Sequence, residues 1–118
     1  MTGSWQHIDD EECRHFQSAV ELIGRRWNSA ILLALARGAT RFGEVRAMVP
    51  GLSDRMLAER MRELQTAQLV DREVVPTTPV QIRYHLTERG ADLIKALQPL
   101  VKWGHQWQRP AQQAADSA

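Results

Sequence analysis

Four stretches of the chain repeat their apolar residues at helical spacing, a short one alternates, and a sixth is helical again. Phe16, Val20 and Ile23 mark the first, which ends at Gly24. From about Trp27, "NSAILLALAR" is apolar on nearly every side and stops before Gly38, which predicts a helix at the centre of the core. A short third helix is expected, capped by Thr40, with Phe42, Val45 and Met48 inward and Pro50-Gly51 at its end. Ser53 is placed to cap a fourth, within "GLSDRMLAERMRELQ". Its Leu57, Met61 and Leu64 form an inward seam, which puts Arg55, Glu59 and Arg62 on the opposite face and Arg60 on the flank.

The period then shortens. "LVDREVV" is rich in valine, "PTTP" is a turn, and in "VQIRYHL" Val80, Ile82, Tyr84 and Leu86 alternate with Gln81, Arg83 and His85. This predicts a hairpin with one apolar face laid on the helices. Thr87 is set to cap the last helix, where Gly90, Leu93, Leu97, Leu100, Gly104 and Trp107 make a seam that Ile94 and Val101 widen. Pro99 lies inside it and is expected to kink the helix or remove one bond. Two helices joined by the tight turn "VPGLS" and followed by a hairpin predict a fold that is mainly α with a small β-hairpin wing, a winged helix-turn-helix. So wide a last seam calls for a partner. The N- and C-terminal helices are expected to form a dimer interface through Phe16, Leu93, Leu97, Leu100, Trp103 and Trp107. The expected organisation is an acidic tail over residues 1–12, one DNA-binding and dimerisation domain over 13–108, and a flexible tail over 109–118.

Composition sharpens this picture at one point, the distribution of charge. At 118 residues with 43% hydrophobic content, the chain suffices for one domain with a core, and its single cysteine allows no intrachain disulfide. No apolar run approaches a membrane span and the polar, acidic start does not read as a secretory signal, so a cytoplasmic protein without membrane contact is expected. The formal charge of +1 conceals an asymmetry. Residues 1–23 carry five acids against one arginine, whereas residues 24–62 carry eight arginines against three acids. Arginine suits planar, bidentate contact with phosphates and guanine edges.

Double-stranded DNA is therefore the expected partner, with Arg41, Ser53, Asp54, Arg55, Glu59, Arg60, Arg62 and Arg83 as candidate contacts. The start of the fourth helix offers free N–H groups, and its first side chains are positioned to reach base edges in a major groove. Arg62, one turn further in, reads equally well as a solvated surface residue. Arg83 either reaches a phosphate or minor groove, or pairs across the hairpin with Glu73 or Asp71. An alternative reading makes the basic segment a protein–protein module for an acidic partner.

Catalytic and metal chemistry find no footing. The four histidines are scattered, Cys13 and His15 diverge on a helix, and no nucleophile elbow, glycine-rich phosphate loop or carboxylate pair appears. No metal, cofactor or enzymatic activity is expected. Trp27, Trp103 and Trp107 read as core or interface anchors, with a small ligand pocket between them as a lesser alternative.

Residues from Cys13 to Gly104 resemble the HxlR-type (DUF24) transcriptional regulators, a bacterial and archaeal branch of the MarR-like winged-helix proteins. The resemblance rests on Cys13, "AVELIGRRW", "RFGEVR", "PGLSDRMLAERMRELQTAQLVDR", Pro79, "YHLTERG" and the "WG" at 103–104. It implies a homodimer held by the first and last helices, with a recognition helix in the major groove and a wing at the flank, on a palindromic operator. It also implies that Cys13 senses oxidants or electrophiles; a small molecule is the other inducer to expect. Beside that stands the plainer alternative that Cys13 only fills space at the interface.

Overall fold

The computed structural model describes residues 6–108. Helix α1 (Asp10–Gly24) comes first, followed by α2 (Asn28–Ala36), α3 (Phe42–Met48) and α4 (Asp54–Thr66). Strands β1 (Val70–Val75) and β2 (Gln81–Leu86) form an antiparallel hairpin, and α5 (Glu88–Trp107) closes the described chain. The predicted winged helix-turn-helix is what forms. Among the described residues, no helix is long and apolar enough to cross a membrane.

Helix α2 is the hub. Ile31 and Leu32 are fully buried, Ala34 and Leu35 nearly so, and α1, α3, α4, α5 and β2 all pack around it. A helix apolar on all sides is stable only when surrounded. It stops cleanly because Gly38 adopts φ 109°, letting the Gly38 and Ala39 amides donate back to the Leu35 and Ala34 carbonyls. Helix α4 ends in the same motif without a glycine: Gln68 takes φ 62°, and the amides of Gln68 and Leu69 donate to Gln65 and Leu64.

Val45 of α3 and Leu57, Met61 and Leu64 of α4 complete the core, each 1% exposed or less. Each such side chain contributes about 1.5–3 kcal/mol on burial, so the seam of α4 alone fixes its orientation. Several expected details differ. Thr40 does not cap α3. The Glu44 carboxylate reaches back instead and accepts from the amides of Thr40 (3.0 Å) and Arg41 (2.9 Å). Met48 is 40% exposed and Val49 takes the inward place, because six residues after Phe42 a helix has turned about 120° off that face and the seventh returns to it. The acidic stretch assigned to a tail enters α1: Asp9 caps it, accepting from the Glu12 amide at 2.8 Å, and Asp10 to Glu12 form its first turn. The tail assigned to 109–118 lies outside the described residues.

In the hairpin, Val70 pairs with Leu86 and Val74 with Ile82. Tyr84 and Leu86 pack on the core, but Val80 (60% exposed) and Val74 (51%) extend past it, so only the base of the wing lies on the helices. The Tyr84 amide donates to the Thr40 carbonyl at 2.7 Å, tying β2 to the start of α3. Helix α5 begins at Thr87, whose hydroxyl accepts from the Gly90 amide (3.0 Å) and donates to the Gln68 carbonyl (2.7 Å). The helix continues through Pro99 to Trp107.

Gly90 lies where α5 crosses the backbone of Leu69. A methyl group there would overlap the Leu69 carbonyl oxygen and press on Leu86 at 3.2 Å. Gly90→Ala is therefore expected to cost about 1–3 kcal/mol or more in urea unfolding. An unchanged midpoint would contradict the packing described.

Candidate nucleic-acid interface

Helix α4 presents two faces of opposite character. Ser53 caps it as expected, its hydroxyl accepting from the Met56 amide at 3.1 Å. Leu57, Met61 and Leu64 hold the inner face. On the outer face, the Arg55 side chain is 89% exposed and touches only Glu59, at 3.5 Å. An exposed i,i+4 pair contributes little, so the guanidinium is readily released to another acceptor. Arg62 is exposed on the same face, seven residues on, about 10 Å along the axis.

Asp54 plays a different part from Arg55. Its carboxylate accepts from Arg46 of α3 at 3.0 Å, a strut between the two helices of the motif. Arg60, placed on the flank by its spacing, turns inward and leaves the candidate set. It is 7% exposed; its Nε donates to the Arg26 carbonyl (2.9 Å) and an η nitrogen to Glu63 (3.0 Å). Glu63 also holds Arg25 at 3.1 Å. Spacing gave α4 a flank but not the α1–α2 connection that covers it. Within that connection Trp27, half-buried, lies under the Arg26 guanidinium at 4.8 Å and against Gly51, anchoring the turn between α3 and α4.

At the wing, Arg83 takes neither of its expected carboxylates. Glu73, opposite it in register, binds His85 instead, at 3.0 Å. Arg83 donates to Gln81 Oε1 at 3.2 Å, and Arg41 donates to the same oxygen at 3.3 Å. Gln81 and Arg46 escaped notice in the sequence. The i,i+2 spacing of Gln81 and Arg83 puts them on one strand face, whereas nothing local links either to Arg41. Glu44 positions Arg41. The amides of Thr40, first, and Arg41 hold its carboxylate below the usual range. The folded state thus favours the charged form, and this support is present at neutral pH and lost as pH falls through the lowered value.

A second surface is apolar. Phe16 (67% exposed), Leu100, Trp103 and Trp107 (65%) stand out from α1 and the far half of α5, and no residue of α1 is buried. Val20, Leu33 and Val101 extend the patch, and a groove of about 270 Å³ between α1, α2 and α5 is lined by Ile23, Leu33, Ile94, Leu97 and Leu100. Leu93, assigned to the interface, packs against this chain's own core. It lies on the first turns of α5, which cross the α4–β1 connection at Leu69. Cys13 is exposed on α1, its amide donating to the Asp9 carbonyl at 3.0 Å. Among the described residues no cluster could hold a metal ion.

A tight-turned helix pair with a capped second helix, an exposed arginine face on it and a hairpin behind defines a winged helix-turn-helix DNA-binding transcriptional regulator. The chain belongs to the HxlR-like helix-turn-helix family, whose pattern matches residues 22–112. It is 41% identical over 101 residues to the HTH-type transcriptional regulator YvaP of Bacillus subtilis (strain 168), covering 86% of this chain and 94% of that protein. It is also 41% identical over 98 residues to the transcriptional regulator YodB of the same organism, covering 83% and 88%. Reduced YodB superposes with a TM-score of 0.72 over 87% of this chain and 97% of that one, at 38% identity. YodB has also been solved diamide-treated (TM-score 0.67, 41% identity, 80% and 93% covered) and quinone-bound (0.68, 38%, 80% and 100%). A MarR-family protein from Enterococcus faecalis V583 matches with TM-score 0.74 at 28% identity, over 98% and 99%.

Two arginines of α4, Arg60 and Arg62, separate by experiment. Arg60→Ala strands the Arg26 carbonyl and half of the Glu63 contacts, and is expected to cost about 1–3 kcal/mol of stability. Arg62→Ala is expected to stay within about 0.5 kcal/mol. Equal unfolding midpoints for the two variants would contradict the inward placement of Arg60.

Proposed function

We propose that the chain works as a homodimer that reads a palindromic operator, each subunit laying the start of α4 in a major groove and its wing at the flank. The observation that carries this is the outer face of α4, where a capped helix start and a nearly free Arg55 stand clear of the protein. Ser53, Arg55, Glu59 and Arg62 form the reading surface, with Arg41 and Arg83 beside it, while Asp54 braces the start of α4 through Arg46. The dimer is formed by α1 and the far half of α5, through Phe16, Leu97, Leu100, Trp103 and Trp107. So much exposed apolar surface on two helices is costly to leave in water. Residues 10–107 make one unit for binding and dimerisation, acting in the cytoplasm.

The dimer also takes a signal. YodB, solved diamide-treated and quinone-bound, makes Cys13 the candidate receiver here. Cys13 is exposed on the proposed dimer helix, one turn before Phe16. With one cysteine per chain, reversible disulfide chemistry runs either to the partner subunit's Cys13 or to a small thiol.

Arg55→Ala is expected to weaken the best operator by about 1–3 kcal/mol and to relax preference at one base position per half-site. Leu97→Glu puts a charge into a dry contact and is expected to cost about 3–5 kcal/mol of association, with DNA affinity falling alongside. Light scattering and operator titration read both, and a wild-type monomer at micromolar concentration would defeat the dimer. Selective, steeply salt-dependent binding of duplex DNA separates this reading from a module for an acidic protein.

For the signal, operator complexes of wild type and Cys13→Ser are treated with diamide and with a quinone. Release of the wild type alone is expected. Equal response of the variant, or no response of either, would make Cys13 a packing residue.

A further inference from the structure

We infer that Arg41 and Arg83, held together by Gln81, form a clamp for a single phosphate diester of the DNA backbone. The inference rests on the DNA-reading function proposed above and goes beyond it in assigning one phosphate to two cations from separate elements. Both guanidiniums donate to one amide oxygen, at 3.3 and 3.2 Å, so their donor nitrogens lie no further apart than those two distances allow together. Two like charges have converged on a neutral acceptor. Such an arrangement is left short of negative charge until an anion arrives.

The nearby carboxylates do not supply it. Glu73 is turned to His85, and Glu44 is taken up by the amides of Thr40 and Arg41, although close enough to feel the Arg41 charge. Among the described residues neither arginine belongs to an ion pair. Arg83 Nε, moreover, is shut off from solvent with no acceptor, so packing holds this side chain without answering its charge. A donor fork fixed in advance loses less freedom on binding than a loose surface arginine.

A phosphate diester offers two non-bridging oxygens, one for each guanidinium. The frame is stiff. The Tyr84 amide to Thr40 carbonyl bond joins β2 to the residue before Arg41, and Val45 and Leu57, buried in one core, hold α3 on α4. The clamp is thereby set at a fixed distance from the reading surface. Gln81 acts as a positioning residue: its oxygen aligns the two donors, and its neutrality leaves them unsatisfied.

The test uses the full chain with its operator, and variants Arg41→Ala, Arg83→Ala, the double variant and Gln81→Glu, each checked for an unchanged unfolding midpoint. One shared phosphate per half-site predicts that every one of them makes the slope of log affinity of the dimer against log salt shallower by about two, one for each subunit, the double variant no more than the singles. Gln81→Glu keeps both arginines and fills the clamp with an internal carboxylate, so its loss marks the clamp itself. A scan of operators bearing one neutral methylphosphonate should find one position per half-site that weakens the wild type by about the same factor, and to which all four variants are indifferent. A double-variant slope change of about four, an unchanged slope in Gln81→Glu, or separate sensitive positions for the two arginines would overturn the clamp. In those cases Arg55→Ala still reports base reading, whereas a wild type that binds no DNA defeats the function and the clamp together.

Discussion

Everything in this fold depends on surrounding α2, whose apolar residues leave no side suited to water. Ile31, Leu32, Ala34 and Leu35 are covered by α1, α3, α4, α5 and β2, and each of those elements takes its position from that contact. Ser29, Leu33 and Ala36 are left over on one face, Leu33 37% exposed beside the groove against α5. The same constraint that builds the subunit thus points to what completes it. A second copy, bringing Phe16 and the tryptophans of α5, would finish the burial that one chain leaves open.

The arginines show why charge alone does not define a binding surface. Arg60 and Arg25 serve the fold through Glu63, and Arg46 serves it through Asp54. Arg62 is exposed, and Arg55 is held only by Glu59 at 3.5 Å, on a helix whose orientation those contacts secure. Arg41 and Arg83 are a third kind, held in place yet uncompensated. Burial and partner separate these roles; residue type does not.

Elements were legible in the sequence wherever one local pattern set them. The seam of α4, the stop at Gly38 and the caps at Ser53 and Thr87 form as their spacing implies. The hairpin forms too, but Gln81 and Arg83 are half-buried like Ile82 and Tyr84, so the burial of β2 does not alternate. What was not legible depended on neighbours distant in sequence. Arg60 turns inward because Arg26 and Glu63 meet it, and Leu93 is claimed by its own core because α5 starts across Leu69. Thr40 is the exception: the carboxylate that took over its capping role, Glu44, is only four residues later. The pairing of Arg41 with Gln81 spans forty positions and has no local trace.

The central claim is that two copies of one rigid reading head act on one operator, and hydroxyl-radical footprinting tests it most directly. The operator is the genomic fragment the protein retains most tightly, with stoichiometry measured on the same complex. The account predicts two chains per duplex and two protected half-sites centred about one helical turn apart, roughly 34–36 Å, related by a two-fold axis. A single protected half-site occupied by one chain at every concentration would contradict it.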